Sequence, residues 1–246
     1  MCILHTMPEP PTPSTALTDS CKDCTLRGLR MFCNLRDDAL QHLDHIGVQA
    51  RYPARVNIFG QGERARALHV LCSGHVKLSA TSREGKTMIL KIAWPGDVLG
   101  LSALLSQGDY EVTAETLEPC QVKTLRRDEF LAFIDGFSEA GRHSLESMAH
   151  EYQAAFRDAR RLSLAASAAS RLANVLMEMA QNASCGKAEM RFTMALTHEE
   201  LGNLAGLSRE TVTRLLGKFQ RERLLAIKGS SITIVDARRF SSLTEA

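Results

Sequence analysis

The sequence predicts an α+β protein in which a β-roll, a long helix and a winged helix-turn-helix follow one another along the chain. Three patterns carry this prediction: short apolar runs punctuated by glycine in the first half, a heptad pattern in the middle, and two short amphipathic helices followed by a hairpin near the end. The chain has 246 residues, of which 44% are hydrophobic and 24% are charged, so it is long enough for two domains.

Residues 1–35 are predicted to form a flexible, cysteine-bearing leader. Pro, Thr and Ser dominate residues 8–20, which therefore have no core of their own. The opening residues lack the length and flanks of a signal peptide, and no apolar run reaches the roughly 18 residues of a membrane span. We expect a cytoplasmic protein with no membrane partner. In that compartment cysteines stay mostly reduced, so clusters among the seven cysteines indicate a metal or redox role.

Residues 36–137 are predicted to form a compact antiparallel roll or barrel. Seven glycines between positions 60 and 108 separate short apolar runs, a pattern typical of such folds. The clearest runs are Leu68–Cys72, His75–Leu78, Met88–Ile92 and Gln121–Leu125.

A long helix is predicted over residues 138–163. Its apolar residues step by three and four positions, as in a heptad seam: Leu145, Met148, Tyr152, Ala155, Ala159 and Leu162. Because the other faces of the helix are polar, the pattern favours a dimerisation contact between two copies of the chain over a helix buried on all sides.

Residues 164–246 are predicted to hold a winged helix-turn-helix, centred on Thr197 to Phe219. Thr197 and Glu200 have the spacing of a capping box, Gly206 lies at the turn, and Ser208 is suited to cap the second helix. The residues expected to face inward are Leu201, Leu204, Val212, Leu215, Leu216 and Phe219.

The opposite face of the second helix carries the groups that read DNA bases. These candidate DNA-binding residues are Ser208, Arg209, Glu210, Thr213, Arg214 and Lys218. Arginine donates two hydrogen bonds to guanine, glutamate accepts one from cytosine, and a threonine methyl group contacts thymine. An ordinary amphipathic surface helix is the alternative. The coincidence of cap, turn and polar face within 23 residues, with a wing following, favours DNA reading.

The wing is predicted over residues 225–235, where two apolar-rich runs flank a turn at Gly229 and Ser230. Between residues 207 and 228, six basic residues stand against two acidic ones, although the whole chain has a net charge of only +2. The first 140 residues carry 15 basic and 17 acidic groups and the remainder 15 and 11, so the C-terminal part is the basic one. Such a patch can anchor phosphates.

Enzyme activity is not expected. The eight histidines are scattered without metalloprotease spacing, and the chain has neither a nucleophile elbow nor a Walker loop.

The order of roll, long helix and winged helix-turn-helix resembles the CRP/FNR family of transcription regulators over about residues 35–240. The best-matched pieces are Leu71–Lys77, Trp94–Gly100 and Leu196–Ile234. The resemblance implies a cyclic-nucleotide-binding-like roll that receives a signal, a homodimer, binding to palindromic promoter DNA and contact with RNA polymerase. It also implies that Glu210 and Arg214 read TGA-containing half-sites.

Cyclic AMP is not expected as the signal. In the cyclic-AMP-binding branch, a Glu near the end of the Gly-Asp-x-x-Gly turn and an Arg-Ser pair hold the ribose and phosphate. Here Leu101 follows Gly100, and the later stretch supplies Asp109 and Glu111 in place of the Arg. A carboxylate repels a phosphodiester.

The oxygen-sensing branch resembles this chain more closely, which implies a [4Fe–4S] cluster. Members of that branch carry three cysteines in the leader and a fourth in the roll. The matching residues, and hence the implied iron ligands, are Cys21, Cys24, Cys33 and Cys120. Eight residues separate Cys24 from Cys33, more than the five at the corresponding place in the best-known member.

Other interpretations of these cysteines stay open. Four thiolates also suit zinc, and the cysteines are compatible with a thiol-disulfide role or with no cofactor at all. The alternative function is a regulator of the same family without an iron-sulfur cluster, dependent on haem and nitric oxide, on thiol redox chemistry or on zinc.

Overall fold

The computed structural model describes residues 20–24, 27–29, 31–164, 167–184 and 190–244. The leader contributes two short 3-10 turns, Arg27–Leu29 and Met31–Cys33, before helix α1 at Asp37–Ile46. Two acidic residues, Asp37 and Asp38, occupy the first turn of α1, where they complement the helix dipole.

Eight antiparallel strands build the roll, and the predicted apolar runs coincide with β3, β4, β5 and β8 except that His75 precedes β4. The strands are β1 (Val48–Tyr52), β2 (Asn57–Phe59), β3 (Ala67–Ser73), β4 (Val76–Thr81), β5 (Thr87–Ala93), β6 (Val98–Leu99), β7 (Thr113–Thr116) and β8 (Cys120–Arg126). They form two four-stranded sheets, ordered β1-β8-β3-β6 and β2-β7-β4-β5. This confirms the predicted antiparallel roll.

Two hydrophobic clusters lie on opposite faces of strand β8. The inner cluster, between the two sheets, includes Leu71, Cys120 and Val122. The outer cluster includes Leu125 and joins β3 and β8 to α1, the leader and helix α3 (Arg127–Gly136). The alternation of a strand produces this division, because successive side chains point to opposite faces. A short helix α2 (Leu101–Leu105) follows β6.

Helix α4 spans Ser138–Leu164 and helix α5 spans Ala168–Ser184. On α4, Leu145 and Tyr152 are 73% and 68% exposed, and Ala155 is also exposed. Met148 is half-buried against the outer cluster of the roll, so this member of the predicted seam packs on its own chain. The side chains of Ala159 and Leu162 lie outside the described residues.

The C-terminal part is a winged helix-turn-helix, as predicted. Its elements are α6 (His198–Ala205), α7 (Arg209–Arg221), β9 (Arg191–Thr193), β10 (Leu225–Lys228), β11 (Ser231–Ile234) and α8 (Ala237–Thr244). Strands β10 and β11 pair as the predicted hairpin, with Gly229 at a positive φ of 59° in its turn. Strand β9 adds a third strand that the sequence analysis missed, because only one of its three residues is buried.

The DNA-reading part packs against the roll. One hydrophobic cluster contains Ile89 and Ile92 of β5 together with residues of α5, α6 and α7. In the described ranges, no helix is long and apolar enough to cross a membrane.

Candidate nucleic-acid interface and signal-receiving region

The first helix of the motif begins with the predicted capping box. The Glu200 N–H donates to Thr197 Oγ1 at 3.2 Å, and the Thr197 N–H donates to Glu200 Oε2 at 2.9 Å. The helix ends at Gly206, whose φ of 64° is left-handed and therefore suited to glycine. Local sequence thus sets both ends of α6.

The second helix, α7, begins at the predicted cap and buries the predicted face. Ser208 Oγ accepts a hydrogen bond from the Thr211 N–H at 3.2 Å. The buried residues of α7 are Val212, Leu215, Leu216 and Phe219.

All six candidate DNA-binding residues are exposed. Thr213 Oγ1 donates to the Arg209 carbonyl at 3.0 Å and lies 2.9 Å from His198 Nδ1, so its methyl group has a fixed direction. A backbone N–H and Ser208 hydrogen-bond to Glu210 and lower its pKa, which keeps this carboxylate ionised and able to accept hydrogen bonds. The face can therefore read base edges in a major groove.

A cavity of about 430 Å³ lies where the roll, α4 and α6 meet. Its wall is mainly apolar, and its lining includes Phe59, Leu78, Leu99, Tyr110, Ala155 and Leu204. The roll, the predicted dimerisation helix and the helix-turn-helix therefore line one cavity.

The charged groups at this cavity are two carboxylates and one ammonium. Glu111 and Glu151 line it, and so does Lys91, which forms an ion pair with Asp97 at 2.9 Å. Burial and the neighbouring carboxylates, against the attraction of Lys91, raise the pKa of Glu151. Asp109 lies at the surface, 3.7 Å from Arg64. The cavity thus offers an anionic phosphodiester little electrostatic attraction.

Beside the cavity lies a stack of aromatic rings that includes a buried histidine. The rings of Phe59 and Tyr110 stack with centroids 3.9 Å apart, and the ring of His69 lies 5.4 Å from that of Phe59. His69 Nδ1 is 3.0 Å from Thr124 Oγ1. Burial lowers the pKa of His69 to about 4, so the imidazole is neutral at physiological pH.

The structure does not bring the four candidate iron ligands together. Cys21 and Cys33 lie with the outer cluster, whereas Cys120 faces the inner cluster and donates from Sγ to the Glu118 carbonyl at 3.2 Å. Cys24 is half-buried. Within the described parts of the chain, no three His, Cys, Asp or Glu side chains are grouped to hold a metal ion. In the described residues, the four cysteines are therefore not assembled into one metal site.

Cys21 instead takes part in a polar contact that the sequence analysis missed. Its N–H donates to Asp44 Oδ2 at 2.8 Å, and the buried Lys123 ammonium donates to Cys21 Sγ at 3.0 Å and to Asp44. Burial, with Asp44 nearby and despite the Lys123 hydrogen bond, raises the pKa of the Cys21 thiol to about 12. A lysine within an apolar strand was the available signal, since such residues are seldom buried without a partner.

The fold and the exposed reading helix define a DNA-binding transcription regulator with a sensor-type roll. Two family descriptions match the chain: "Crp-like helix-turn-helix domain" over residues 170–243 and "Cyclic nucleotide-binding domain" over residues 49–136. The chain belongs to the CRP/FNR family of transcription regulators. Its homologues and its fold are those of regulators and not of enzymes.

Named relatives match nearly the whole chain. The chain is 27% identical to the regulatory protein HlyX of Actinobacillus pleuropneumoniae over 226 residues, which cover 91% of this chain and 93% of that protein. It is 26% identical to the fumarate and nitrate reduction regulatory protein of Salmonella typhimurium over 226 residues, covering 91% and 89%. The solved structure of FixK2 from Bradyrhizobium japonicum has the same fold, with a TM-score of 0.73, 22% identity and coverage of 82% and 98%.

Proposed function

We propose that this regulator acts in the cytoplasm as a homodimer that binds palindromic promoter sites and contacts RNA polymerase. The observation that carries this proposal is the exposed, oriented polar face of α7 above a buried apolar face. Two such helices one helical turn apart match a palindrome, because the symmetry of the dimer mirrors that of the site.

Helix α4 supplies the dimer contact in this proposal. Leu145, Tyr152 and Phe156 expose 59% or more of their surface, and the rings of Tyr152 and Phe156 lie 5.6 Å apart. Burial of these side chains against a second copy stabilises association. Sedimentation of Ala155→Asp tests this contact, since an unpaired charge buried there costs roughly 3–5 kcal/mol. An unchanged dimer would place the interface elsewhere.

The proposed half-site contains TGA, read by Glu210 and Arg214. Arg214→Ala should cost about 1–3 kcal/mol at the cognate guanine and relax the base preference there. Lys218 is the matched control, because it is an exposed cation on the same helix and is proposed to contact a phosphate and not a base. Lys218→Ala should weaken all sequences alike and flatten the salt dependence.

A binding selection on randomised DNA distinguishes the two variants. Retention of the parental base preference by Arg214→Ala would remove that residue from direct readout. A parent protein that enriches no palindrome would overturn the proposed function itself.

For the signal, we propose redox sensing through Cys21, Cys24, Cys33 and Cys120 as ligands of a [4Fe–4S] cluster. The family and the cysteine spacing support it. The separation of Cys120 from Cys21 and Cys33 in this structure counts against it, because all ligands of one cluster must lie together. Protein purified without air tests it: four iron atoms per chain and a visible band that bleaches in air are expected, and single Cys→Ser changes should lower the iron content.

The control for that experiment is Cys72→Ser. Cys72 lies half-buried in β3, with Sγ 3.7 Å from the Val70 carbonyl, and it is not among the four proposed ligands. Full iron content in Cys33→Ser would exclude Cys33 as a ligand. A haem spectrum or a colourless zinc protein would instead favour the alternative regulator without an iron-sulfur cluster.

A second candidate signal is a small apolar molecule bound in the 430 Å³ cavity. The mainly apolar wall and the two carboxylates favour such a ligand over a cyclic nucleotide. Thermal unfolding in the presence of cyclic AMP tests whether the nucleotide binds. We expect no shift in the melting temperature.

A further inference from the structure

A neutral cluster of four charged side chains joins the roll to the first helix of the helix-turn-helix. Lys77 of β4 lies 2.9 Å from Glu200 of α6 and 3.1 Å from Glu115 of β7. Arg55, in the turn between β1 and β2, contacts the same two carboxylates. The side chains of Lys77 and Glu200 are only 13% and 14% exposed, so water screens this ion pair weakly.

Glu200 serves both the helix and the domain contact. Its Oε2 atom accepts hydrogen bonds from Thr197 within the capping box, while Oε1 accepts from Lys77 and Arg55. Burial by itself would raise the pKa of Glu200, but the hydrogen bonds from Arg55, Thr197 and Lys77 lower it to about 2. The carboxylate therefore stays charged at physiological pH.

Arg55 reaches this cluster from an uncommon backbone conformation. Its φ is 63°, in the left-handed region that non-glycine residues seldom adopt. The Arg55 N–H donates to the Thr116 carbonyl at 2.8 Å, which fixes the turn. Such strain persists where the surroundings over-determine it, and it often marks a functional contact.

Apolar contacts extend the same interface. Ile89 and Ile92 of β5 are buried in one cluster with Leu201 and Leu204 of α6. Leu204 also lines the cavity shared with α4. Ionic and apolar contacts therefore both join the roll to α6, and the reading face of α7 remains exposed in this docked arrangement.

We propose that Glu200, Lys77 and Arg55 form an interdomain latch that holds the helix-turn-helix on the roll and pre-orients α7 for DNA. The proposal rests on the DNA-binding function proposed above. A reading helix held in place loses less conformational freedom when both half-sites are bound, so the latch increases DNA affinity. The roll then acts on DNA binding through Lys77 and Arg55.

Two single substitutions separate pre-orientation from a simple charge effect. Glu200→Gln removes the charge but keeps the capping box, because glutamine also serves at this position. Lys77→Gln removes one of the two cations that hold Glu200 and leaves Arg55 in place. Pre-orientation predicts that both changes weaken DNA binding, by about three- to tenfold for a partly buried pair. Attraction or repulsion by phosphates predicts opposite signs for the two.

The double variant gives a further criterion. Since both changes break the same Lys77–Glu200 ion pair, Glu200→Gln with Lys77→Gln should bind DNA about as weakly as Glu200→Gln alone. Matched controls are Glu199→Gln on α6 and Lys86→Gln in the β4–β5 turn, two exposed residues outside the cluster. These controls remove the same charges and should leave the affinity within about twofold.

Interdomain distance provides a readout that does not depend on DNA. Fluorophores attached to non-natural residues at positions 84 and 228 report the separation of the roll and the wing, with one labelled protomer per dimer. Opening the latch should broaden the distance distribution in Glu200→Gln and Lys77→Gln but not in the controls. Circular dichroism checks that α6 stays folded.

Unchanged distance distributions in both latch variants would overturn the proposal. Tighter DNA binding by both variants would also overturn it, because the docked arrangement would then oppose DNA binding. If the parent protein selects no palindrome, the proposed function fails while the distance measurement still decides whether the latch exists.

Discussion

The reading helix presents its functional groups to solvent, whereas the roll holds its distinctive groups in the interior. Helix α7 exposes charged and polar groups and buries an apolar face. The roll buries a neutral histidine, His69, and supplies most of the wall of an apolar cavity. Consecutive residues create the first arrangement, whereas strands distant in sequence create the second.

This difference explains how each region responds to change. An exposed helix face tolerates substitution of its reading residues without loss of fold, so its variants report on DNA alone. A change at a buried group of the roll also changes its packing and its desolvation. A ligand bound there therefore changes the stability of the roll. The junction at Glu200 connects the two regions.

The largest expected effect concerns Gly202, where helix α6 passes close to the turn of the helix-turn-helix. A Cβ atom at Gly202 would lie 2.6 Å from the Leu207 carbonyl oxygen, which belongs to the rigid turn. Gly202→Ala should therefore destabilise the C-terminal domain by about 2–3 kcal/mol, measured by urea unfolding.

Gly217 provides the matched control for that prediction. A Cβ atom there would lie 3.6 Å from Arg221 Nη1, an ordinary contact. Gly217→Ala should stabilise α7 by about 0.5–1 kcal/mol, because alanine loses less backbone entropy in a helix. Equal effects of the two changes would contradict the close approach at Gly202.

The next effect concerns the roll and its response to pH. Burial lowers the pKa of His69 from 6.5 to about 4, so the unfolded chain binds more protons than the folded one between these values. The stability that depends on neutral His69 is fully present above pH 6.5 and is lost as the pH falls towards 4. Between pH 7 and pH 5 the loss is about 2 kcal/mol.

Urea unfolding of the parent and of His69→Gln at both pH values measures this contribution. The variant lacks the titrating imidazole, so its stability should fall less between pH 7 and pH 5 than that of the parent. Identical pH dependence in the two proteins would show that His69 is accessible to protons in the folded roll.

The smallest expected effect concerns one hydrogen bond of the capping box. Thr197→Ala removes the oxygen that accepts from the Glu200 N–H. The expected loss is about 1 kcal/mol of unfolding free energy in the C-terminal domain. Thr197→Ser keeps the hydroxyl and should restore most of it. A loss of 3 kcal/mol or more in Thr197→Ala would mean that the change also opens the contact with the roll.

Local sequence determined the winged helix-turn-helix almost completely. The capping box at Thr197, the left-handed Gly206 and the cap at Ser208 act through neighbouring residues, so their spacing predicts their geometry. The apolar runs likewise predicted strands β3, β4, β5 and β8, because alternation and turn residues are local signals.

Only the tertiary structure decided the relations between distant segments. It placed Cys120 on the inner face of β8 and Cys21 beside Lys123 on the outer face, although the family resemblance implied one shared site for these cysteines. It also joined Glu200 to Lys77, 123 positions apart in the chain. Such contacts depend on the register and packing of whole elements, which no local spacing encodes. For this reason the sequence by itself determined the DNA-reading helix, whereas the cavity and the junction depend on the tertiary structure.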